Sequence, residues 1–165
     1  DTLAAIANAL ATYADLPEAS KEPVDIVETV RRGLEVFDKD YIKFESTESK
    51  LIAVIDKTQL TRVITNLVKN SVQAIEYNAI ADPLILVSLE KNEEVVRLSI
   101  KDNGGGIREE NMDRIFEPKF TTKTSGMGLG LGMVKNIVEA YDGKMKLYNN
   151  EVGGVTFQLI FPIPS

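Results

Sequence analysis

The chain has 165 residues, 44% apolar and 27% charged, with a net charge of −6 and neither cysteine nor histidine. That length suits one domain with a short appendage, burying roughly two-thirds of its unfolded surface. The composition excludes disulfides, thiolate chemistry, serine–histidine triads and histidine-ligated metals, its acidity argues against nucleic acid as the main partner, and no apolar run approaches the roughly 18 residues of a membrane span.

Residues 1–14 (DTLAAIANALATYA) read as a helix, with Leu3, Ile6, Leu10 and Tyr13 at the spacing of a packing seam. A linker with two prolines follows. Asp25 is placed to cap a helix over 26–37, with Ile26, Val30, Leu34 and Phe37 on one face. Residues 41–46 and 51–55 read as a strand pair. Asp56 then caps a long helix to about residue 78. Residues 84–90 and 95–101 read as a second strand pair joined through KNEE. Residues 103–125 read as a long loop with a short helix near 108–115, and a loop of that length in a compact domain is functional or disordered. A helix over about 129–141 and strands near 144–149 and 154–161 complete the chain. Helices mixed with paired strands predict an α/β (two-layer α+β) sandwich, a mixed sheet covered on one face by helices.

Three constellations carry chemistry. On the long helix, Leu60, Val63, Ile64, Leu67, Val68, Val72 and Ile75 share one apolar face. Asn66, Asn70 and Gln73 run beside it, where amides are costly to bury unless satisfied by neighbours or by a bound group such as a hydrated Mg²⁺. In VVRLSIKDNGGGI, alternation turns Val96, Leu98, Ile100 and Asp102 to one face. A carboxylate there needs a partner. A ligand's exocyclic amine would serve, and so would local N–H groups beyond the strand. In RIFEPKFTTKTSG, Phe116 and Phe120 flank Pro118 and precede Thr121, Thr122 and Lys123. These suit either a lid over phosphates or a loop anchored by its aromatics.

The string GMGLGLGM (126–133) precedes the last helix. It is not a Walker loop. It is not a G-x-G-x-x-G fingerprint either, because the third glycine would fall on Leu131 or Met133. Backbone N–H groups bared by glycine at a helix N-terminus suit an anion, and the same glycines would serve simple close packing.

In this order the segments resemble the ATP-binding catalytic domain of sensor histidine kinases, in the GHKL ATPase/kinase superfamily. NLVKNSVQAI (66–75) resembles the N box, DNGGGI (102–107) the G1 box, FEPKFTTK (116–123) the F box and GMGLGLGM the G2 box. GGVTF (153–157) fits the last glycine-containing strand. The resemblance spans about residues 22–163, and the F-box and G2 wording is similar to the nitrogen-regulation type.

The resemblance implies the Bergerat fold, with Mg-ATP between the N-box helix and a mobile lid. Asp102 would accept a hydrogen bond from the adenine amino group. Asn70 would hold Mg²⁺, and Asn66 would stand where ATPase branches place a glutamate base. Gly104 and Gly106 would let the chain pass close to the nucleotide. Gly126, Gly128 and Gly130 would offer N–H groups to the phosphates, with Lys123 contacting them from the lid. Gln73, Ile107, Phe116, Phe120, Thr121, Thr122, Met127, Leu129, Leu131 and Thr156 complete the expected cofactor contacts.

By the same resemblance the γ-phosphoryl passes to a histidine on a dimeric helical hairpin, and onward to a response-regulator aspartate. No histidine occurs here. Residues 1–16 therefore read as the tail of that hairpin, 17–24 as linker and 25–165 as the ATP-binding domain. The domain is expected in the cytoplasm, as a monomer or weak dimer, with a parent kinase that can be membrane-anchored. Met127 replaces a frequent threonine, which removes a hydroxyl and leaves the backbone role intact. Lys119 interrupts the F box and bears on lid closure. A GHKL ATPase of the chaperone or topoisomerase kind would need a glutamate at 66. A scaffold that no longer uses nucleotide would not need Asn70, Asp102 or the G2 glycines.

Overall fold

A computed structural model describes residues 19–112 and 127–163. Strand β1 (Glu22–Asp25) leads into helix α1 (Ile26–Glu35), followed by β2 (Ile42–Ser46), β3 (Ile52–Ile55) and helix α2 (Lys57–Tyr77). Strands β4 (Ile85–Lys91) and β5 (Val95–Asp102), a 3₁₀ turn (Glu109–Asn111), helix α3 (Met127–Ala140), β6 (Lys144–Asn149) and β7 (Val155–Pro162) follow. The expected helix over 1–14 lies outside the described residues.

Five strands form one sheet in the order β2-β4-β5-β7-β6. Only β2 and β4 run parallel in it, so the sheet is mixed as expected. Alternation along β5 buries Val96, Leu98, Ile100 and Asp102 and leaves their neighbours half-buried. This face meets α2, whose Ile64, Leu67 and Val68 are fully buried. Six of the seven residues predicted for the apolar face of α2 are buried, and Leu60 packs at the margin. The result is a two-layer sandwich whose core lies between the sheet and α1, α2 and α3.

The expected pairing of residues 41–46 with 51–55 does not occur. Strand β2 pairs in parallel with β4, Phe44 opposite Val87. Strand β3 pairs antiparallel with β1, Val24 opposite Ala53. The intervening turn explains the separation. Ser46 Oγ accepts from Glu48 N–H, and Thr47 N–H donates to Leu89 O, which keeps the chain on β4 beyond the end of β2. Leu51 N–H donates to Asp25 Oδ1, and Ile26 N–H donates to Leu51 O, which ties the start of β3 to the β1–α1 junction. The linker reading of residues 22–24 gives way to strand β1 for the same reason.

Asp25 caps α1 by accepting from Val27 N–H at 3.1 Å. The helix ends at Glu35, two residues short of expectation, and its most buried positions are Val27, Thr29, Val30 and Gly33. Ile26, Leu34 and Phe37 pack at the edge of that face.

Asp56 is both a cap and a junction. Its Oδ1 accepts from Gln59 N–H in the first turn of α2, and its Oδ2 accepts from Ser20 N–H at 2.8 Å. Its own N–H donates to Tyr141 Oη, just beyond α3, and Tyr141 donates to Gln59 Oε1. The Lys21 ammonium stands 5.0 Å over the Tyr141 ring. Partial burial pushes the Asp56 carboxyl up. The N–H groups of Ser20, Gln59 and Thr58, with nearby Arg62, outweigh that and hold it below the usual aspartate range.

A depressed folded-state pKa contributes stability above the unfolded-state value and loses it as pH falls through the folded-state value. Asp56→Asn keeps a cap oxygen but not the charge. It is therefore expected to lower the urea midpoint at neutral pH and to flatten the acid limb of stability against pH. Equal acid sensitivity in parent and variant, measured by urea titration across the acid range, would assign the limb to other groups.

Candidate functional site

The end of β5, the C-terminal half of α2 and the β6–β7 turn enclose a cavity of about 640 Å³. Asn70, Ala74, Tyr77 and Asn78 supply one wall from α2 and its C-cap. Asp102 lies at the base, and Gly105, Gly106 and Ile107 continue from it along the rim. Asn149, Asn150, Gly154, Val155 and Phe157 close the opposite side.

Asp102 is 3% exposed. Its Oδ1 accepts from Gly104 N–H at 2.9 Å and from Val155 N–H at 3.1 Å. Its Oδ2 accepts from Ser71 Oγ at 2.6 Å. Of the two satisfiers the sequence left open, one local N–H group, that of Gly104, is present, and Val155 and Ser71 add donors from distant elements. Two carboxylate oxygens offer about four acceptor positions, so three bonds leave one on Oδ2 for a ligand donor. Both readings of this aspartate fit the same geometry.

Asn70, 6% exposed, directly precedes Ser71, the helix residue that donates to Asp102, and its amide nitrogen has no hydrogen-bond partner. A buried amide left unmade costs about 1–3 kcal/mol. Amide oxygen and nitrogen exchange places by rotation, so the same side chain can present an oxygen to a cation. Among the described residues no cluster of acidic side chains could hold a metal by itself. A cation such as Mg²⁺ would need an amide oxygen, water and ligand phosphates, a donor set that suits its habits. The residues present fit that group.

Other predicted positions fall out differently. Asn66 donates from Nδ2 to Arg62 O, and a Cβ on Gly130 would come within 2.7 Å of its Oδ1. Gly130 therefore allows α3 to pack on α2 beside Asn66. Helix α3 begins at Met127, two residues earlier than expected, so Met127, Gly128, Leu129 and Gly130 form its first turn. The first four N–H groups of a helix lack partners within it, which is compatible with the anion reading.

Gly104 closes the β5 exit against α2, where a Cβ would stand 2.9 Å from Ala74 Cβ. Gly105 and Gly106 have φ of 115° and 76°, conformations that side-chain-bearing residues rarely adopt. Leu131 is fully buried in the core, and Gln73 and Thr156 are not brought to the cavity. Thr156 alternates with Val155 and Phe157 onto the other face of β7, where its Oγ1 accepts from Asn150. Phe116, Lys119, Phe120, Thr121, Thr122, Lys123 and Gly126 lie outside the described residues.

Several contributors escaped the sequence reading, among them Ser71, Asn150 and Gly154. Ser71 directly follows Asn70, and its burial beside the apolar face was its only signal. Asn150 donates to Asp102 O at 2.9 Å and accepts from Val152 and Gly154 N–H, which closes the β6–β7 turn. Gly154 lies so near the Asp102 carbonyl that any Cβ would collide with it.

The family model described as histidine kinase-, DNA gyrase B-, and HSP90-like ATPase matches residues 55–165, more than half of the chain. The chain belongs to this family. Sensor histidine kinase ZraS of Escherichia coli (strain K12) is 32% identical over 148 residues, which cover 86% of this chain and 31% of that protein. Sporulation kinase A of Bacillus subtilis (strain 168) is 31% identical over 155 residues, covering 94% of this chain and 24% of that protein. The nucleotide-free catalytic domain of histidine kinase ThkA superposes with a TM-score of 0.76 at 31% identity, covering 87% of this chain and 95% of that one. A structure of ThkA in complex with the response regulator protein TrrA superposes with a TM-score of 0.79 at 28% identity, covering 98% of this chain and 47% of that one. Within the family, the chain is the catalytic domain of a sensor histidine kinase. It spans about a third or less of the length of these curated relatives.

Removing the hydroxyl that faces Asp102 should be costly. Ser71→Ala is expected to destabilise the ligand-free protein by about 1–3 kcal/mol, because a buried carboxylate oxygen loses its donor. A urea midpoint equal to that of the parent would mean that another donor takes its place.

Proposed function

We propose that this cavity binds Mg-ATP and that the domain donates the γ-phosphoryl group to a histidine carried outside these 165 residues. The observation that carries the reading is the pairing within one cavity of Asp102, with one acceptor position left, and Asn70, a buried amide without a partner. Asp102 accepts from the adenine amino group. Ser71, Gly104 and Val155 hold the carboxylate in place for that contact. Asn70 would hold Mg²⁺ through its amide oxygen, and the ion would supply charge neutralisation at the phosphates.

The N–H groups of the first turn of α3 would be available to the phosphates, and the helix dipole would favour their charge. The expected lid contacts, Lys123 among them, remain part of this reading. The receiving histidine sits on a helical hairpin of the kinase and passes the group to a response-regulator aspartate. ThkA, crystallised with its response regulator TrrA, supports a partner of this kind. Among the described residues no helix is long and apolar enough to cross a membrane. A supply of ATP favours a cytoplasmic setting.

Asn66 separates phosphoryl transfer from hydrolysis. An amide cannot take a proton from water, and its Nδ2 already serves the Arg62 carbonyl. Phosphoryl transfer needs chiefly positioning and charge neutralisation, which the chain can supply without a base.

Calorimetric titration with a non-hydrolysable ATP analogue tests the reading. Asp102→Asn should weaken binding about ten- to a hundred-fold. Asn70→Ala should abolish the gain from Mg²⁺ while leaving Mg-free ADP affinity near that of the parent. An absence of binding to the parent chain would sink the proposal. Brisk steady-state hydrolysis by the parent would sink the kinase assignment alone.

A further inference from the structure

Four asparagines surround the turn that follows Asp102. Asn78 Nδ2 donates to Gly104 O at 2.6 Å. Asn103 spans to the chain before β4, donating to Asp82 O and accepting from Leu84 N–H. Asn150 holds Asp102 O. The fourth, Asn149, makes the most specific contact. Its Oδ1 accepts from Ile107 N–H at 2.8 Å, and its Nδ2 donates to Ile107 O at 2.8 Å. One side-chain amide thus pairs with both backbone groups of one residue, as a neighbouring strand would.

The geometry around this contact is restrictive. Asn149 is the last residue of β6, and alternation sets it on the side of Met145 and Leu147, which pack on the core. A Cβ on Gly106 would approach its Oδ1 to 2.9 Å. Gly105 and Gly106 both have positive φ, so the backbone between Asp102 and Ile107 has wide conformational freedom unless its far end is held. Gly105 N–H is fixed by Gly153 O at 2.8 Å, and the next fixed point along the chain is Ile107, through Asn149. Ile107 lines the cavity.

We propose that Asn149 is a positioning residue for the nucleotide site, its amide setting where Ile107 and the adjoining cavity wall stand. This rests on the nucleotide reading of the cavity. Asn149 is solvent-exposed, so water can replace both of its bonds and the fold loses little when they are gone. What goes is the definition of the wall, and a ligand must then restore that order on binding. The contact lies on the Asp102 side of the cavity, so the penalty should fall on the nucleoside portion and be indifferent to magnesium.

The test compares the parent chain with Asn149→Ala and Asn149→Asp. The aspartate keeps an acceptor for Ile107 N–H but has no donor for Ile107 O. Asn149→Ala should weaken ADP and the non-hydrolysable ATP analogue by the same factor, about ten-fold, with and without Mg²⁺. Asn149→Asp should show a smaller loss of the same kind. Amide hydrogen exchange at Ile107 should quicken in both, while the amides of β4 and β5 stay protected. If the alanine variant does not fold, the aspartate variant carries the same readouts. Unchanged affinity in the variants, with a parent that binds, overturns this inference and leaves the nucleotide site intact. Affinity lost only together with protection across β4 and β5 makes Asn149 a structural residue and likewise overturns it. A parent that binds no nucleotide overturns the proposed function, and this inference with it.

Discussion

A carboxylate buried at the end of an apolar strand face must be satisfied by its own protein, and the groups that satisfy Asp102 organise everything near it. Ser71 reaches it from α2, Gly104 from the turn beyond β5 and Val155 from the start of β7. Three separate elements therefore converge on one side chain. Gly154 has no room for a side chain because it lies against the Asp102 carbonyl. Gly104 is excluded from carrying one by Ala74. The glycines on either side of the aspartate serve this convergence as much as they serve a ligand.

The same constraint leaves a polar floor beside the apolar core. Ile64, Leu67, Val68, Ile100, Leu131 and Leu159 are fully buried in the core, and the cavity opens where the apolar row of β5 gives way to Asp102. Asn70 stands at the boundary with an unmade hydrogen bond. A folded chain tolerates such a group mainly where binding repays it, since leaving it unmade costs more than removing both partners. Uncharged asparagines fix the neighbouring turn, so the backbone is held without placing a second charge beside the carboxylate.

A second junction lies at the other end of α2. Asp56, Gln59 and Tyr141 connect the start of α2 to the end of α3, and Ser20 and Lys21 join them from the chain that enters the domain. Helix α2 lines the cavity at Asn70, and the glycine-rich first turn of α3 packs beside Asn66 on the same helix.

Periodicity and motif order in the sequence determined the helix from Asp56, its apolar face, the β4–β5 pair, the burial of Asp102 and the family. These are local properties: a period of 3.6 or 2, a capping side chain, a string of motif residues. The partners of β2 and β3 were not legible, because these strands are adjacent in sequence and each finds its ladder with another strand. The double role of Asp102 was undecidable for a related reason. Whether a carboxylate is satisfied depends on N–H groups that lie 53 residues away at Val155. For Gly130 the sequence left anion binding and close packing both open, and the close approach to Asn66 became visible only once α2 and α3 packed together. Ser71, Asn149 and Asn150 carried no periodic signal, since a side chain that hydrogen-bonds to distant backbone is recognisable only after the fold has brought that backbone within reach.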